Sequence, residues 1–248
     1  MEIITSAQNR IVKLARSLAD KKYRDEHGLF LAEGGNLVKD IPRGAEVSFL
    51  LLTPERAGEA AELLASTRAQ VYYVSDAVMK SLSDTVSPYG MAAALKIPRR
   101  EFALPQGNAL VLDGVSDPGN LGTILRTAAA ADFTDVYLLD CADVYAPKTV
   151  RASMGGVFRV RAAKVTEEQA AEVAEKTVSV ALDMDGGSIA ECTLTPPVTL
   201  IAGSEAHGVR ERLLKAAGGV KSLPMKNGME SLNVAVAAAV AMYRIYNN

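Results

Sequence analysis

Residues 109–131 read ALVLDGVSDPGNLGTILRTAAAA. The first residues form a continuous apolar run that ends at Asp113, which is typical of a strand buried on both faces of a parallel sheet. A loop rich in Gly, Pro and Asn follows, and apolar residues then recur at helical spacing, so we predict a helix over 121–131. Ligands of open α/β sheets bind outside the carboxyl ends of the strands. The loop at 113–122 is therefore the first candidate for a binding site.

Strands and helices keep alternating after this stretch. Beyond the strand at 109–113, we predict strands at 136–139, 157–162, 178–182, 198–202 and 220–223, and helices at 149–154, 167–176, 211–217 and 232–246. This alternation is typical of α/β folds in which helices cover both faces of a parallel sheet. The C-terminal part of the chain is therefore predicted to be a doubly covered, parallel α/β domain.

The N-terminal part shows the same alternation on a smaller scale. We predict strands at 30–32, 47–52, 71–74 and 91–95, and helices at 8–18, from 36, at 54–65 and at 76–82. The stretch IPRREFALPQG that follows carries two prolines, a glycine and a charge cluster, which is typical of a linker. We therefore expect a small α/β domain at 1–97, a linker at 98–107 and a second domain at 108–248.

Composition indicates a soluble globular protein, because 49% of the 248 residues are apolar and 23% are charged. The longest apolar run, Val234–Tyr243, is shorter than the about 20 residues of a membrane-spanning helix. The first residues lack the apolar core of a secretory signal. Cys141 and Cys192 lie in no CxxC or Cys/His cluster. We expect a cytoplasmic protein with no membrane segment, no disulfide framework and no metal site.

The net charge of −2 hides a basic segment near the N-terminus. Its basic residues, which have Asp20 as a nearby acid, are Arg10, Lys13, Arg16, Lys21, Lys22 and Arg24. A local basic patch can bind a phosphate backbone even when the whole protein is acidic. The same pattern also fits an ordinary solvated helix face.

Three loops at predicted strand ends are rich in glycine and polar residues: 113–122 (DGVSDPGNLG), 203–208 (GSEAHG) and 223–233 (LPMKNGMESLN). The first is not the G-x-G-x-x-G fingerprint of dinucleotide binding, and the chain has no P-loop and no G-x-S-x-G elbow. His27 and His207 are the only histidines. Hydride, phosphoryl and acyl transfer are therefore disfavoured.

Polar residues in these loops are candidates for a site. Arg126 interrupts an otherwise apolar helix, so it meets either an anion or a structural acid. Ser231 and Asn233 precede the final helix, where either one can cap it. Because one cap needs one residue, Asn233 is the less easily explained of the two if Ser231 is the cap.

Together the loops resemble the SPOUT superfamily of RNA methyltransferases, in its TrmH/SpoU branch of ribose 2′-O-methyltransferases. LDGVSDPGNLGTILRTAAAADFTDVYLL, LIAGSEAHGVRE and LPMKNGMESLNVAVAAAVAMY are similar to the three signature motifs of that branch. SAQNRIVKLARSLADKKYRDEHGLFLAEG is similar to the substrate-binding domain that often precedes the catalytic domain. The resemblance implies a trefoil-knotted α/β catalytic domain, a homodimer through that domain, RNA as substrate and S-adenosylmethionine as cofactor.

The resemblance also implies roles for individual residues. Positions that match catalytic residues are Asn120, Arg126, Glu205, Ser231 and Asn233. Positions assigned to cofactor binding are Leu182, Gly203, Leu223, Met225 and Leu232. RNA contacts are expected at Arg10, Lys13, Lys21, Lys22 and Arg24. Two positions depart from the family pattern: Ala235 stands where Ser is common, and Asn36 where a basic residue often follows the EG motif.

The expected reaction moves a methyl group from a sulfonium to a ribose 2′-oxygen. A guanidinium is rarely deprotonated, so we expect Arg126 to bind the adjacent phosphate and stabilise the developing oxyanion. Glu205, Ser231 and Asn233 are expected to orient the hydroxyl and the loop. Alternatives are a non-catalytic RNA-binding relative, a base-directed knotted methyltransferase and a nucleotide-binding oxidoreductase. Ribosomal RNA and transfer RNA fit the resemblance equally.

Overall fold

A computed structural model describes residues 2–83, 87–191 and 193–246, so Cys192 lies outside the described residues. The strands are β1 (Ile3–Ile4), β2 (Leu29–Glu33), β3 (Val47–Leu52), β4 (Gln70–Val74), β5 (Met91–Lys96), β6 (Asn108–Asp113), β7 (Phe133–Leu139), β8 (Arg161–Lys164), β9 (Ser179–Ser188), β10 (Thr199–Gly203) and β11 (Val220–Ser222). The α-helices are α1 (Arg10–Ser17), α2 (Lys21–His27), α3 (Gly35–Lys39), α4 (Ala61–Ser66), α5 (Asp76–Leu82), α6 (Pro118–Ala130), α7 (Pro147–Ala152), α8 (Glu167–Lys176), α9 (Glu211–Ala216) and α10 (Val234–Tyr246). Short 3₁₀ helices lie at Pro54–Ala60, Gly156–Phe158 and Ile189–Glu191.

The chain divides into two compact units. The N-terminal unit is Met1–Pro98 with Tyr145–Phe158, and the C-terminal unit is Arg99–Val144 with Arg159–Asn248. The division falls beside the linker predicted at 98–107. The predicted continuous domain at 108–248 differs, because the segment 145–158 packs with the N-terminal unit.

The N-terminal unit is an α/β unit with a mixed sheet in the order β1-β4-β3-β5-β2. β4 pairs in parallel with β1 and β3, whereas β5 is antiparallel to β3 and β2. The apolar face of α1 packs on this sheet, where Val12, Ala15 and Leu18 are buried against Phe49 and Met79. Spacing of i, i+3 and i+6 places these helix residues on one face.

Helix α2 was not predicted, and it changes the interpretation of Arg24. The Asp20 side chain caps α2 by accepting from the Lys22 backbone N–H at 2.9 Å. Arg24 is 3% exposed, and its Nη1 donates to the carbonyl oxygens of Leu18 at 2.8 Å and Ala19 at 2.7 Å. The prediction that Arg24 contacts RNA is therefore wrong, because its guanidinium is buried against the end of α1.

The segment 145–158 completes the N-terminal unit. The buried Phe30 ring in β2 lies 4.7 Å from the Tyr145 ring and 6.4 Å from the Phe158 ring, between centroids. Helix α7 contributes Arg151, which lies 3.9 Å from the Glu33 carboxylate. The predicted strand at 157–162 is wrong, since a 3₁₀ helix precedes β8. Val157 and Phe158 lie in that 3₁₀ helix, with the Phe158 ring against Phe30, whereas Ala162 pairs in β8 with Val136.

The C-terminal unit confirms the predicted parallel α/β sheet. Its strand order is β11-β9-β10-β6-β7-β8, and each of these neighbouring strands pairs in parallel. The chain proceeds from β6 outward through β7 to β8, and the later strands lie on the other side of β6. The order therefore reverses between β6 and β10, where Asp113 pairs with Gly203 at the carboxyl ends. Ligand sites of open α/β sheets form at such a reversal.

Helices cover both faces of this sheet. Val111, Tyr137 and Ile201 share a core cluster with α8 and with Leu213 of α9. Successive strand residues point to opposite faces, so the buried Leu110 and its neighbours face the other layer, where α6 contacts β7 and α10 contacts α6 and β10. No helix within the described ranges has the length and apolar character that crossing a bilayer requires.

Arg210 anchors the loop that follows β10. The buried Asp113 accepts the Arg210 backbone N–H at 2.8 Å and lies 3.0 Å from its Nε. The guanidinium also donates to Asp140 and lies 3.6 Å from Glu167. Burial raises the pKa of Asp113 above its ordinary value, while Arg210 opposes that rise. The loop that begins at Gly203 is thus tied back to β6 at its far end.

We predict that Arg210→Ala lowers the free energy of unfolding by about 2 kcal/mol at pH 7, because it leaves the Asp113 carboxylate buried without its cation. A raised folded-state pKa means that the native state binds more protons than the unfolded chain, so stability is gained as pH falls. The loss of unfolding free energy in Arg210→Ala, measured by urea titration, should therefore become smaller as the pH falls from 7 to 4.

Arg212→Ala is the matched control, since Arg212 lies two residues further on, in α9, and pairs with the exposed Glu168 at 2.6 Å. Its effect should stay within about 0.5 kcal/mol. Equal decreases in the two variants, or a deficit that does not depend on pH, would show that Asp113 needs no buried partner.

Candidate functional site

The three predicted loops meet at one carboxylate. Glu205 Oε1 accepts from Asn120 Nδ2 at 2.8 Å, from Asn233 Nδ2 at 2.9 Å and from the Val234 backbone N–H at 3.4 Å. Asn233 Nδ2 also donates to Asn120 Oδ1 at 3.1 Å. We call Asn120, Glu205 and Asn233 the polar triad. It joins the start of α6, the loop after β10 and the start of α10.

Each member of the polar triad is positioned by a helix start or a short loop. Asn120 lies in the first turn of α6, which Asp117 caps by accepting the Asn120 N–H at 2.8 Å. The Asn233 side chain caps α10, because its Oδ1 accepts from Ala235 N at 3.0 Å and Val236 N at 3.4 Å. The cap is therefore Asn233 rather than Ser231, and one Asn side chain serves both the helix and the triad.

A cavity of about 550 Å³ opens beside the triad. Its lining includes all the residues predicted to bind the cofactor, and also Ser231 and Glu205. The remaining side chains and backbone come mainly from the end of β9 and the loops after β10 and β11. Residues of the lining include Leu182, Gly203, Glu205, Leu223, Met225, Ser231 and Leu232.

Gly203 is required by the way the loop folds back on itself. A Cβ atom at Gly203 would lie 2.0 Å from the carbonyl carbon of Gly208 and 2.3 Å from Val209 N. The Gly208 N–H donates to the Ser204 carbonyl at 2.9 Å and closes this turn. The backbone of the turn therefore lines the cavity without a side chain in the way, as close approach to a ligand requires.

Arg126 is exposed on α6, two turns beyond the start of the helix. It makes no hydrogen bond or ion pair with any described residue. A structural salt bridge of Arg126 is therefore absent within the described part of the chain. Its guanidinium is available for an anionic ligand.

Sequence reasoning missed several residues of the site. Asp183, His207 and Lys221 bring charge or titratable groups to the cavity wall, and Met184 is 67% exposed beside it. Asp113 and Arg210 stand at the ends of two of the quoted motifs, where a buried aspartate signals the need for a cation. The other residues lie near strand ends, and hydrophobic periodicity does not fix the residue at which a strand ends.

Cys141 is a structural thiol. It is partly buried, and its Sγ donates to the carbonyl oxygens of Leu112 at 3.3 Å and Leu139 at 3.4 Å. Burial raises the pKa of the thiol to about 11, so the thiolate needed for nucleophilic attack is scarce at neutral pH. Among the described residues, no group of three or more His, Cys, Asp or Glu side chains is placed to hold a metal ion.

The cavity fits S-adenosylmethionine. Its volume lies within the range of small-molecule sites, which pair apolar walls with a few polar groups. Leucine and methionine side chains at 182, 223, 225 and 232 provide an apolar slot for a flat base. Asp183 and Glu205 supply carboxylates at the wall for a cofactor that carries a sulfonium and an amino group.

Comparisons with known proteins agree with this site. Residues 107–243 match the SpoU rRNA Methylase family, and residues 9–93 match the MRM3-like substrate binding domain. The 23S rRNA (guanosine(2553)-2′-O)-methyltransferase RlmP of Bacillus subtilis is 33% identical over 252 residues, which cover 99% of each chain. The 23S rRNA (uridine(2479)-2′-O)-methyltransferase of Streptomyces viridochromogenes is 27% identical, over 97% of this chain and 90% of that one.

Solved structures show the same architecture. An AdoMet-bound rRNA methyltransferase from Sinorhizobium meliloti superposes with a TM-score of 0.88 at 29% identity, covering 99% of this chain and 97% of that chain. A TrmH-family protein from Porphyromonas gingivalis superposes with a TM-score of 0.84 at 29% identity, covering 94% and 96%. The chain belongs to the SpoU rRNA Methylase family and is an RNA methyltransferase that uses S-adenosylmethionine.

Proposed function

We propose that this protein transfers a methyl group from S-adenosylmethionine to a ribose 2′-hydroxyl in 23S ribosomal RNA. The observation that carries the proposal is the polar triad, in which Asn120 and Asn233 donate to Glu205, a residue that lines the cofactor cavity. The names of the relatives in Bacillus and Streptomyces support ribose methylation of this RNA. When bound, S-adenosylmethionine supplies an electrophilic methyl on a positively charged sulfur.

The chain's own residues position and activate the hydroxyl. The triad holds the loops of the site in one arrangement, and positioning the reacting groups in line supplies a large part of the rate. Arg126 binds the phosphate beside the target ribose through its planar fork of donors and stabilises the negative charge that develops on the 2′-oxygen. Arg126 is exposed and has no hydrogen-bond or ion-pair partner among the described residues, which supports this role. Ser231 orients the hydroxyl from the cavity wall.

RNA binding is assigned to the N-terminal domain, residues 1–97. The match of residues 9–93 to a substrate binding domain supports this assignment. Arg10, Lys13 and Arg16 are exposed along α1 and form no ion pair with any residue that the structure describes. Cations without internal partners attract phosphates most strongly. Lys21 and Lys22 extend this basic surface on α2, although Lys21 also pairs with Asp25.

A homodimer through the catalytic domain is part of the proposal. Helix α10 is buried on one side but exposes Val236, Val240, Tyr243 and Tyr246, each between 44% and 53%. These residues recur at helical spacing and form an apolar stripe, and such surfaces mark protein interfaces. Burial of the stripe against a second copy would contribute to the roughly 800 Å² of surface that each partner of a stable interface buries.

The trefoil knot and the location complete the proposal. The segment 223–246 passes from β11 across the cavity to pack α10 on α6 and β10. This path and the close contact of Gly203 with Gly208 support threading of the C-terminal segment through a loop, an exception to the usual rules of chain connection. A cytoplasmic location suits a ribosomal RNA substrate and a free thiol at Cys141.

The first experiment incubates the protein with unmodified 23S rRNA transcript and isotopically labelled S-adenosylmethionine, and maps the product nucleoside by mass spectrometry. We expect one 2′-O-methylated nucleoside. Arg126→Lys should lower the turnover number at least about 100-fold with an unchanged melting temperature, because a point charge cannot reproduce the guanidinium fork. Arg212→Ala should retain full turnover. A methylated base, or cofactor binding without any methylation, would select the base-directed or the non-catalytic alternative.

The basic surface is tested by neutralising Arg10 and Lys13 to Gln, and separately by reversing Lys21 and Lys22 to Glu. We expect weaker RNA binding and a salt-dependence slope reduced by about 0.7 to 0.9 for each phosphate that the variant no longer neutralises, with unchanged S-adenosylmethionine affinity by calorimetry. Lys96→Gln is the matched control, since Lys96 pairs with Glu46 on the same unit. A salt-dependence slope equal to that of the wild type would show that this surface does not bind RNA.

The dimer is tested by sedimentation of Val240→Glu and Tyr243→Glu. A charge in the centre of an apolar interface costs several kcal/mol on association, so both variants should sediment as monomers at concentrations where the wild type is a dimer. Val178→Glu is the control, because Val178 is 57% exposed and lies outside α10. If all three variants sediment like the wild type, the apolar stripe of α10 does not form a dimer interface.

A further inference from the structure

Glu205 has two oxygens in different situations. Oε1 accepts from Asn120, from Asn233 and from the Val234 backbone. Across residues 2–83, 87–191 and 193–246, nothing donates to Oε2. The residue is exposed at the cavity wall. One oxygen is thus fixed by the protein while the other is free for a ligand.

This arrangement is unlike that of the other acceptors at the cavity. Asp183 and His207 also line it, but His207 is held through its backbone N–H, which donates to Ser204 Oγ at 3.2 Å, and not through its ring. Asp183 Oδ1 accepts from the Asp185 backbone within its own strand. Glu205 alone among these groups is bound to both Asn120 and Asn233, which immobilises its carboxylate between two helix starts. A catalytic base must be held in place as well as exposed.

We propose that Glu205 Oε2 is the proton acceptor for the ribose 2′-hydroxyl, an inference that rests on the proposed ribose methylation. As the hydroxyl oxygen forms its bond to the methyl carbon, its proton passes to Oε2. The carbon–sulfur bond breaks and its electron pair stays on sulfur, which becomes a neutral thioether. The proton leaves to solvent after the products depart. Arg126 then keeps its charge throughout, and Glu205 is a catalytic residue rather than only a loop contact.

Glu205→Gln separates the two functions of the side chain. The amide oxygen can still accept from Asn120, Asn233 and Val234 N, while an NH₂ group replaces Oε2 and cannot take a proton. The turnover number should fall by about 100-fold to 10,000-fold, the usual contribution of a general base. The melting temperature should stay at the wild-type value, and the loss of turnover should persist at saturating S-adenosylmethionine. A turnover number within fivefold of the wild type would overturn the proposal and leave Glu205 as a positioning residue.

A binding measurement tests the same interaction without turnover. The probe is the 23S rRNA fragment that carries the mapped nucleotide, bound in the presence of S-adenosylhomocysteine, with either ribose or 2′-deoxyribose at that nucleotide. Removal of the hydroxyl should weaken wild-type binding about tenfold, as expected for a hydrogen bond to a charged acceptor. The decrease should be much smaller for Glu205→Gln. Equal decreases in the two proteins would show that Oε2 does not contact the hydroxyl.

Two further variants test whether the proton acceptor is the Glu205 carboxylate or the His207 imidazole. Glu205→Gly removes the carboxylate, and added formate should restore part of the turnover if a carboxylate is the acceptor. His207→Ala removes the other titratable side chain of the cavity wall, and its turnover number at saturating S-adenosylmethionine should exceed that of Glu205→Gln at least about tenfold, because the imidazole is not held in place. Loss of turnover in His207→Ala together with activity in Glu205→Gln would assign the proton to His207. If no RNA is methylated by the wild type, the proposed function itself has failed, which the first mapping experiment reveals beforehand.

Discussion

The hydrogen bonds to one oxygen of Glu205 connect three loops of the catalytic unit that lie far apart in sequence. Asn120 and Asn233 are separated by 113 positions, yet their amides are 3.1 Å apart and both donate to the same carboxylate. Sheet order makes this possible, because β6 and β10 are neighbours whose carboxyl ends carry two of the loops. The third loop arrives with α10, whose first turn needs an acceptor for its free N–H groups. A structural requirement of the helix is met by the residues of the site.

An ion-pair network around the buried Asp113 stabilises the same region. Asp113 ends β6 and holds Arg210, which ends the loop that carries Glu205. Gly203 and Arg210 therefore bracket that loop at its two ends, and the tight turn at Gly208 shortens it. Within the cavity lining, Glu205 is fixed by hydrogen bonds, whereas the Met184 side chain is 67% exposed.

Much of the fold could be predicted from local patterns. The apolar run before Asp113 and the alternation of strands and helices predicted a parallel α/β sheet in the C-terminal part of the chain, which the structure confirms. The mixed pairing of the N-terminal sheet could not be read in this way, because periodicity does not encode strand direction. The strand expected at 157–162 begins only at Arg161, because Val157 and Phe158 lie in a 3₁₀ helix and an apolar run in such a helix has the same sequence pattern as a buried strand. The prediction for Arg24 failed because charge alone does not show that a guanidinium will cap the end of α1.

The loops of the site were predicted by their glycines, while the choice of Asn233 over Ser231 as helix cap depended on geometry that spacing does not fix.

The segment at 145–158 has a consequence for anyone who recombines such enzymes. Phe30 in β2 finds its aromatic neighbours, Tyr145 and Phe158, more than a hundred positions later in the chain. A chimaera that exchanges only the first 98 residues would separate these rings and also part Glu33 from Arg151. Exchange of the N-terminal unit therefore requires replacement of two separate segments, residues 1–98 and residues 145–158.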